Sequence, residues 1–81
     1  MAATEDRHLT RHEAQTAVSR VLLEHIRSDR YPSVVQMTVL EETIPPQLIR
    51  EYLGILLEKT LSDRFPSIPM LRRIQGVVQR L

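Results

Sequence analysis

The sequence predicts an all-α fold: a small four-helix domain made of two tandem helix–turn–helix hairpins related by pseudo-symmetry. Three observations predict it. Residues 21–34 (VLLEHIRSDRYPSV) recur as residues 55–68 (ILLEKTLSDRFPSI), an offset of 34 residues. Eight of these fourteen positions are identical and three more exchange Val for Ile or Tyr for Phe. Apolar residues elsewhere return every three or four positions, the spacing of one helix face. Finally, each copy ends in a proline followed by a serine, a helix stop followed by a helix start.

Sought first, as repeats should be, the duplication sets the domain plan. Residues 1–9 form a polar, flexible tail, and 10–81 a single domain with repeat units at 10–43 and 44–81. The period equals that of tetratricopeptide repeats, but their aromatic and Ala/Gly pattern is missing. Two copies also fall short of the three or so that such arrays need. The expectation is therefore a pair of hairpins closing on one shared core.

The first helix opens at a capping box, Thr10 to Glu13, in which each residue satisfies the other's backbone N–H. Ala14, Ala17, Val18, Val21, Leu22 and Ile26 follow as an amphipathic stripe, with His25 on the same side, half-buried. The helix ends near Asp29 because Pro32 disfavours helical geometry at Tyr31, and Arg27 and Arg30 suit its C-terminal end. The second segment is the least regular. Val35, Met37 and Val39 alternate with Gln36 and Thr38 like a strand, whereas Ser33 with Gln36 reads as another capping box. Helix is the reading taken.

The third helix starts at Pro45–Pro46, where a missing N–H is no loss, with Thr43 or Ile44 as its cap. Leu48, Ile49, Tyr52, Leu53, Ile55, Leu56, Leu57 and Leu61 cover roughly 240° of its circumference. That width predicts a central helix, or one facing a partner as well as its own core. Gly54 falls on the polar arc, where it costs ~1 kcal/mol relative to alanine. Ser67 caps the fourth helix, with Pro69 in its first turn and Met70, Leu71, Ile74, Val77, Val78 and Leu81 on an apolar face.

The shared turns, Asp29–Arg30–Tyr31 and Asp63–Arg64–Phe65, read as structure. The ring plugs the end of the core, proline stops one helix, serine caps the next, and the Asp–Arg pair bonds locally. A ligand-presenting role for the pair is the competing reading. Tyr31 carries a hydroxyl that Phe65 lacks, so the ring is what the two turns share.

Composition bounds the function. The chain has 81 residues, a formal net charge of +1, no cysteine, and two glycines. Disulfides are excluded, and a small domain without them has little stability to spare. No apolar run is long enough to span a membrane, and residues 1–8 lack the apolar core of a signal peptide. A cytoplasmic location is the expectation.

His8, His12 and Glu13 have the letters of a zinc motif, but His8 precedes the Thr10 cap and no third ligand completes the set. No metal site is predicted. Ser28, Ser33, Ser62 and Ser67 all fall at helix ends, where capping accounts for them. There is no phosphate-binding glycine loop. The expectation is a non-enzyme without a cofactor.

Leu23 lies about 180° from Ala14 on the first helix, off the main stripe, and Leu57 is its counterpart in the second copy. They either line the seam between hairpins or face a partner. With the flanks of the third helix, Leu48 and Ile55, they are the predicted contact residues of a non-catalytic protein–protein interaction or self-association module, a homodimer being one form. The alternative is a helix-turn-helix-like nucleic-acid-binding protein, broken at Gly54, that binds through Arg72, Arg73 and Arg80 of a basic last segment.

Overall fold

A computed structural model of the chain describes residues 9–81. The tail expected over residues 1–9 therefore lies, apart from Leu9, outside the described residues, and so does His8. The described residues form four helices: α1 (Arg11–Ser28), α2 (Val34–Thr43), α3 (Pro46–Ser62) and α4 (Ile68–Val78). Segment 34–43 is helix, so its alternation does not signal a strand.

The helix starts follow local chemistry. The Thr10 hydroxyl accepts from the Glu13 N–H and the Glu13 carboxylate accepts from the Thr10 N–H, both at 3.0 Å. Those bonds hold the Glu13 carboxyl below the usual carboxylate range. Ser33 accepts from Gln36 N, and Ser67 from Met70 N. Gln36 does not return the bond, so α2 has half of the expected box. The N-cap of α3 is Pro45, not Thr43 or Ile44, and it offers no side-chain cap. Proline at the first helical position needs less capping, since one of the N–H groups otherwise left unpaired is missing.

Helices α1 and α3 both end on an aspartate with extended backbone, Asp29 and Asp63. Ser28 and Ser62, just before them, donate to the carbonyls of Glu24 and Glu58, both at 2.8 Å. No described residue has positive φ and no peptide bond is cis.

Helices α1 and α2 pack as one hairpin, α3 and α4 as another, and α1 touches α3. Polar bonds fix the sense of that last contact. His12 meets Gln47 near the two N-termini, Arg20 meets Glu51 at mid-helix, and Lys59 meets the last carbonyls of α1. The two helices therefore run parallel. On the far side Arg73 reaches Thr38 and Glu41, and Arg80 reaches the Glu41 carbonyl, so long side chains of α4 and the residues after it link to α2.

One core fills the space between the hairpins. It is built from Leu23 and Ile26 of α1, Met37 and Leu40 of α2, and Ile44. The second hairpin adds Leu48, Ile49, Tyr52, Leu53, Ile55 and Leu56 of α3, with Ile74 and Val77 of α4. Its position corrects the expected face of α1. Val18 and Val21 are 53% and 58% exposed, and Leu23 is fully buried. The helix has two apolar sides. Leu23 and Ile26 bury more carbon than Ala14, Ala17 and Val18 can, so the larger side chains turn inward.

Candidate interaction surface

The inner face of α1 carries cations toward α3. Arg20 and Arg27 both donate to the Glu51 carboxylate, at 3.0 and 2.7 Å, and Arg27 also lies 3.4 Å from Glu24. These groups are a third to two-thirds exposed, so the cluster orients the helices more than it stabilises them. Lys59 donates to the carbonyls of Arg27 (3.0 Å) and Asp29 (2.5 Å), capping the α1 C-terminus with a cation.

Between α2, α3 and α4 lies a second polar group. The Tyr52 hydroxyl donates to Glu41 at 2.5 Å, and Arg73 holds the other oxygen at 2.7 Å. Burial, the bond to Glu41 and that carboxylate's charge push the Tyr52 hydroxyl far above its ordinary range. Although desolvation opposes it, the Glu41 partnership raises the Arg73 pKa.

The predicted contact residues separate. Leu23, Leu48 and Ile55 belong to the core, so the expectation that they form a partner surface is corrected; a surface cannot be made from side chains the chain itself covers. Leu57 alone of the four is exposed, at 40%. The nucleic-acid set also separates. Arg73 and Arg80 are engaged by Glu41, through its carboxylate and its carbonyl, while Arg72 is exposed. Helix α3 runs unbroken through Gly54, which removes the helix-turn-helix break.

The repeated turns do not plug the core either. Tyr31 and Phe65 are 72% and 81% exposed. Each lies two residues beyond an aspartate at which the chain leaves its helix in extended conformation, Asp29 or Asp63. Each is covered by the preceding arginine instead, Arg30 over Tyr31 at 5.5 Å and Arg64 over Phe65 at 5.6 Å. Asp63 accepts from the Phe65 N–H at 3.4 Å, closing the turn locally. Between the turns is an open cleft of about 480 Å³ lined by Arg30, Tyr31, Glu58, Lys59, Asp63 and Arg64. Ser62 also lines it, and its hydroxyl donates to the Glu58 carbonyl at 2.8 Å. Among the described residues no group of three or more His, Cys, Asp or Glu is placed to hold a metal. His25 is exposed, not half-buried.

What remains open is apolar and lies on the outer sides of the hairpins. On the first hairpin Ala17, Val18 and Val21 of α1 and Val35 and Val39 of α2 are exposed. On the second they are Leu57 and Leu61 of α3 and Leu71 and Val78 of α4. Sequence reasoning missed Val18 and Val21 as surface residues because it put both on the core stripe of α1, and it left Leu61 on an arc that could face either the core or a partner. The signal that α1 had a second apolar side was Leu23 itself.

Gly54 and Gly76 are exposed as well, and a Cβ at either would touch nothing within 4 Å. No described helix is long and apolar enough to cross a membrane. A scan of protein-family models, a search of curated proteins and a search of solved structures each found no match to this chain.

Proposed function

We propose that this is an interaction module that works by association through its outer apolar faces rather than by catalysis, and that it associates with itself. Its two hairpins are read as duplicated units, pseudo-symmetric and set side by side. The observation that carries the reading is the number of large apolar side chains left uncovered on the helices, Val18 and Val21 of α1 and Leu57 and Leu61 of α3 among them. Single exposed apolar residues are ordinary, whereas clusters at helical spacing mark contact surfaces.

A nucleic-acid role has weaker support, because Arg73 and Arg80 are held by Glu41 and only Arg72 of the three is uncommitted. Sedimentation of the native chain over a wide concentration range, beside Leu57→Asp, tests the proposal. The native chain is expected to associate and the variant to be weakened. A native chain that is monomeric at every concentration overturns it.

A further inference from the structure

We infer that a second copy of this chain docks head-to-tail, the outer face of its first hairpin covering the outer face of the second hairpin, as α3 covers α1 within one chain. This rests on the self-association reading and adds its geometry and polarity.

The argument compares residues 34 positions apart. Tyr52 and Ile55 of α3 are buried, and their counterparts Val18 and Val21 of α1 are exposed. Leu23 of α1 is buried, and its counterpart Leu57 is exposed. The same inversion holds in the other layer. Met37 and Ile44 are buried where Leu71 and Val78 are exposed, and Val77 is buried where Thr43 is exposed. At these positions each hairpin buries the side that the other leaves open, while Ser19 and Leu53, and Leu40 and Ile74, are buried in both. This pattern follows from units related by a sideways step, because a step leaves one unmatched face at each end. A two-fold axis would leave two identical faces.

The open faces are complementary in the terms the internal seam already uses. The α1–α3 seam joins residues about one repeat apart: His12 to Gln47, Arg20 to Glu51, and Lys59 to the Arg27 and Asp29 carbonyls. Moved one step on, Glu51 is replaced by Ala17 of the incoming copy, and Arg20 and Arg27 by Gly54 and Leu61. Glu51, Arg20 and Arg27 thus give way together to small or apolar groups, while the two carboxylates the exchange leaves near the contact, Glu58 in place of Glu24 and Glu13 in place of Gln47, are exposed to water. Lys59 is replaced by His25, whose ring can supply an N–H donor where the Leu61 and Asp63 carbonyls take the places of those of Arg27 and Asp29. Gly54, which has no packing reason within the chain, lies where Ala17 of the next copy approaches. A head-to-tail contact of this kind does not close on itself, so copies add in a row.

The experiment is a mixing test by analytical ultracentrifugation. One variant carries Val18→Asp and Val21→Asp, the other Leu57→Asp and Leu61→Asp; all four positions are exposed, and circular dichroism checks that both remain helical. The native chain is expected to grow in size with concentration beyond a dimer. Each variant alone is expected to be a monomer. An equimolar mixture is expected to form a 1:1 dimer and stop there, because each variant supplies the face the other lacks. Gly54→Arg, which fills open space on a helix, is expected to leave folding intact and lower native association at least tenfold.

A variant that dimerises alone shows like faces pairing and overturns the proposal. So does a mixture that stays monomeric while the native chain associates, and that result leaves the self-association reading standing. A native chain that never associates removes both.

Discussion

The Tyr52 hydroxyl donates to Glu41 at 2.5 Å, joining the centre of α3 to the last turn of α2 while Arg73 of α4 grips the same carboxylate. One carboxylate thus ties three helices. Tyr52 is fully buried, so its proton is a folding matter.

The first prediction concerns alkali. The folded state raises the Tyr52 pKa above its ordinary value of 10.0, mainly by burial and then by Glu41. The unfolded chain therefore releases this proton at lower pH than the folded one. The Tyr52 contribution is complete below about pH 10 and declines above it, by at most ~1.4 kcal/mol per pH unit. Urea denaturation of the native chain and Tyr52→Phe between pH 7 and 11 checks this. The native chain is expected to lose stability faster than the variant above pH 10, and parallel curves would contradict it.

Arg73 should matter far more than its neighbour. Arg73→Met leaves the Glu41 carboxylate facing Tyr52 without its cation and is expected to cost about 1–3 kcal/mol in chemical denaturation. Arg72→Met, at an exposed position, is expected to change stability by less than ~0.5 kcal/mol. Equal effects would mean that the network is ornamental.

Ser19 is fully buried on the inner side of α1, and its hydroxyl has no hydrogen-bond partner among the described residues. A buried hydroxyl of this kind carries a desolvation penalty without return. Ser19→Ala is expected to be neutral or to stabilise by up to ~1 kcal/mol, read as a higher denaturation midpoint at unchanged slope. A loss of more than that would reveal a bond made by the hydroxyl.

Leu23 and Leu57 occupy matching places in the repeat and opposite environments in the fold. Leu23→Ala is expected to cost about 2–5 kcal/mol, as for a core leucine. Leu57→Ala, at low concentration where the chain is a monomer, is expected to cost less than ~1 kcal/mol. Thermal unfolding of the two variants distinguishes them, and similar midpoints would contradict the assignment of the core.

The helices were legible because their signals are local. Thr10–Glu13, Ser33, Pro46 and Ser67 act within one turn of the chain, and the proline after each Asp–Arg–aromatic run stops the preceding helix within a few residues. Which side of α1 turns inward was not legible. Ala14, Ala17, Val18 and Val21 make the more regular stripe, and only the packing of α1 against α2 and α3, with Leu23 and Ile26 in the shared core, decides against it. The outward swing of Tyr31 and Phe65 was hidden for a similar reason. A large ring before proline is equally good core filler or arginine partner, and in both turns the arginine covers it. The exposure of Leu57 was legible as an off-stripe leucine, whereas that of Val18 and Val21 was hidden because both also fit a core.

Apart from Tyr52–Glu41, 11 positions apart, the side-chain bonds across the seam between hairpins join residues 24 to 39 apart, whereas within each hairpin consecutive helices meet after a turn of a few residues. Closing the short loops is entropically easier than bringing distant segments together. Assembly in time should follow that order, each half forming its own bend before α1 and α3 slide into register. Only Ile44 and Pro45 separate α2 from α3, so the seam is held by a tether too short to let the halves drift far apart once they have formed.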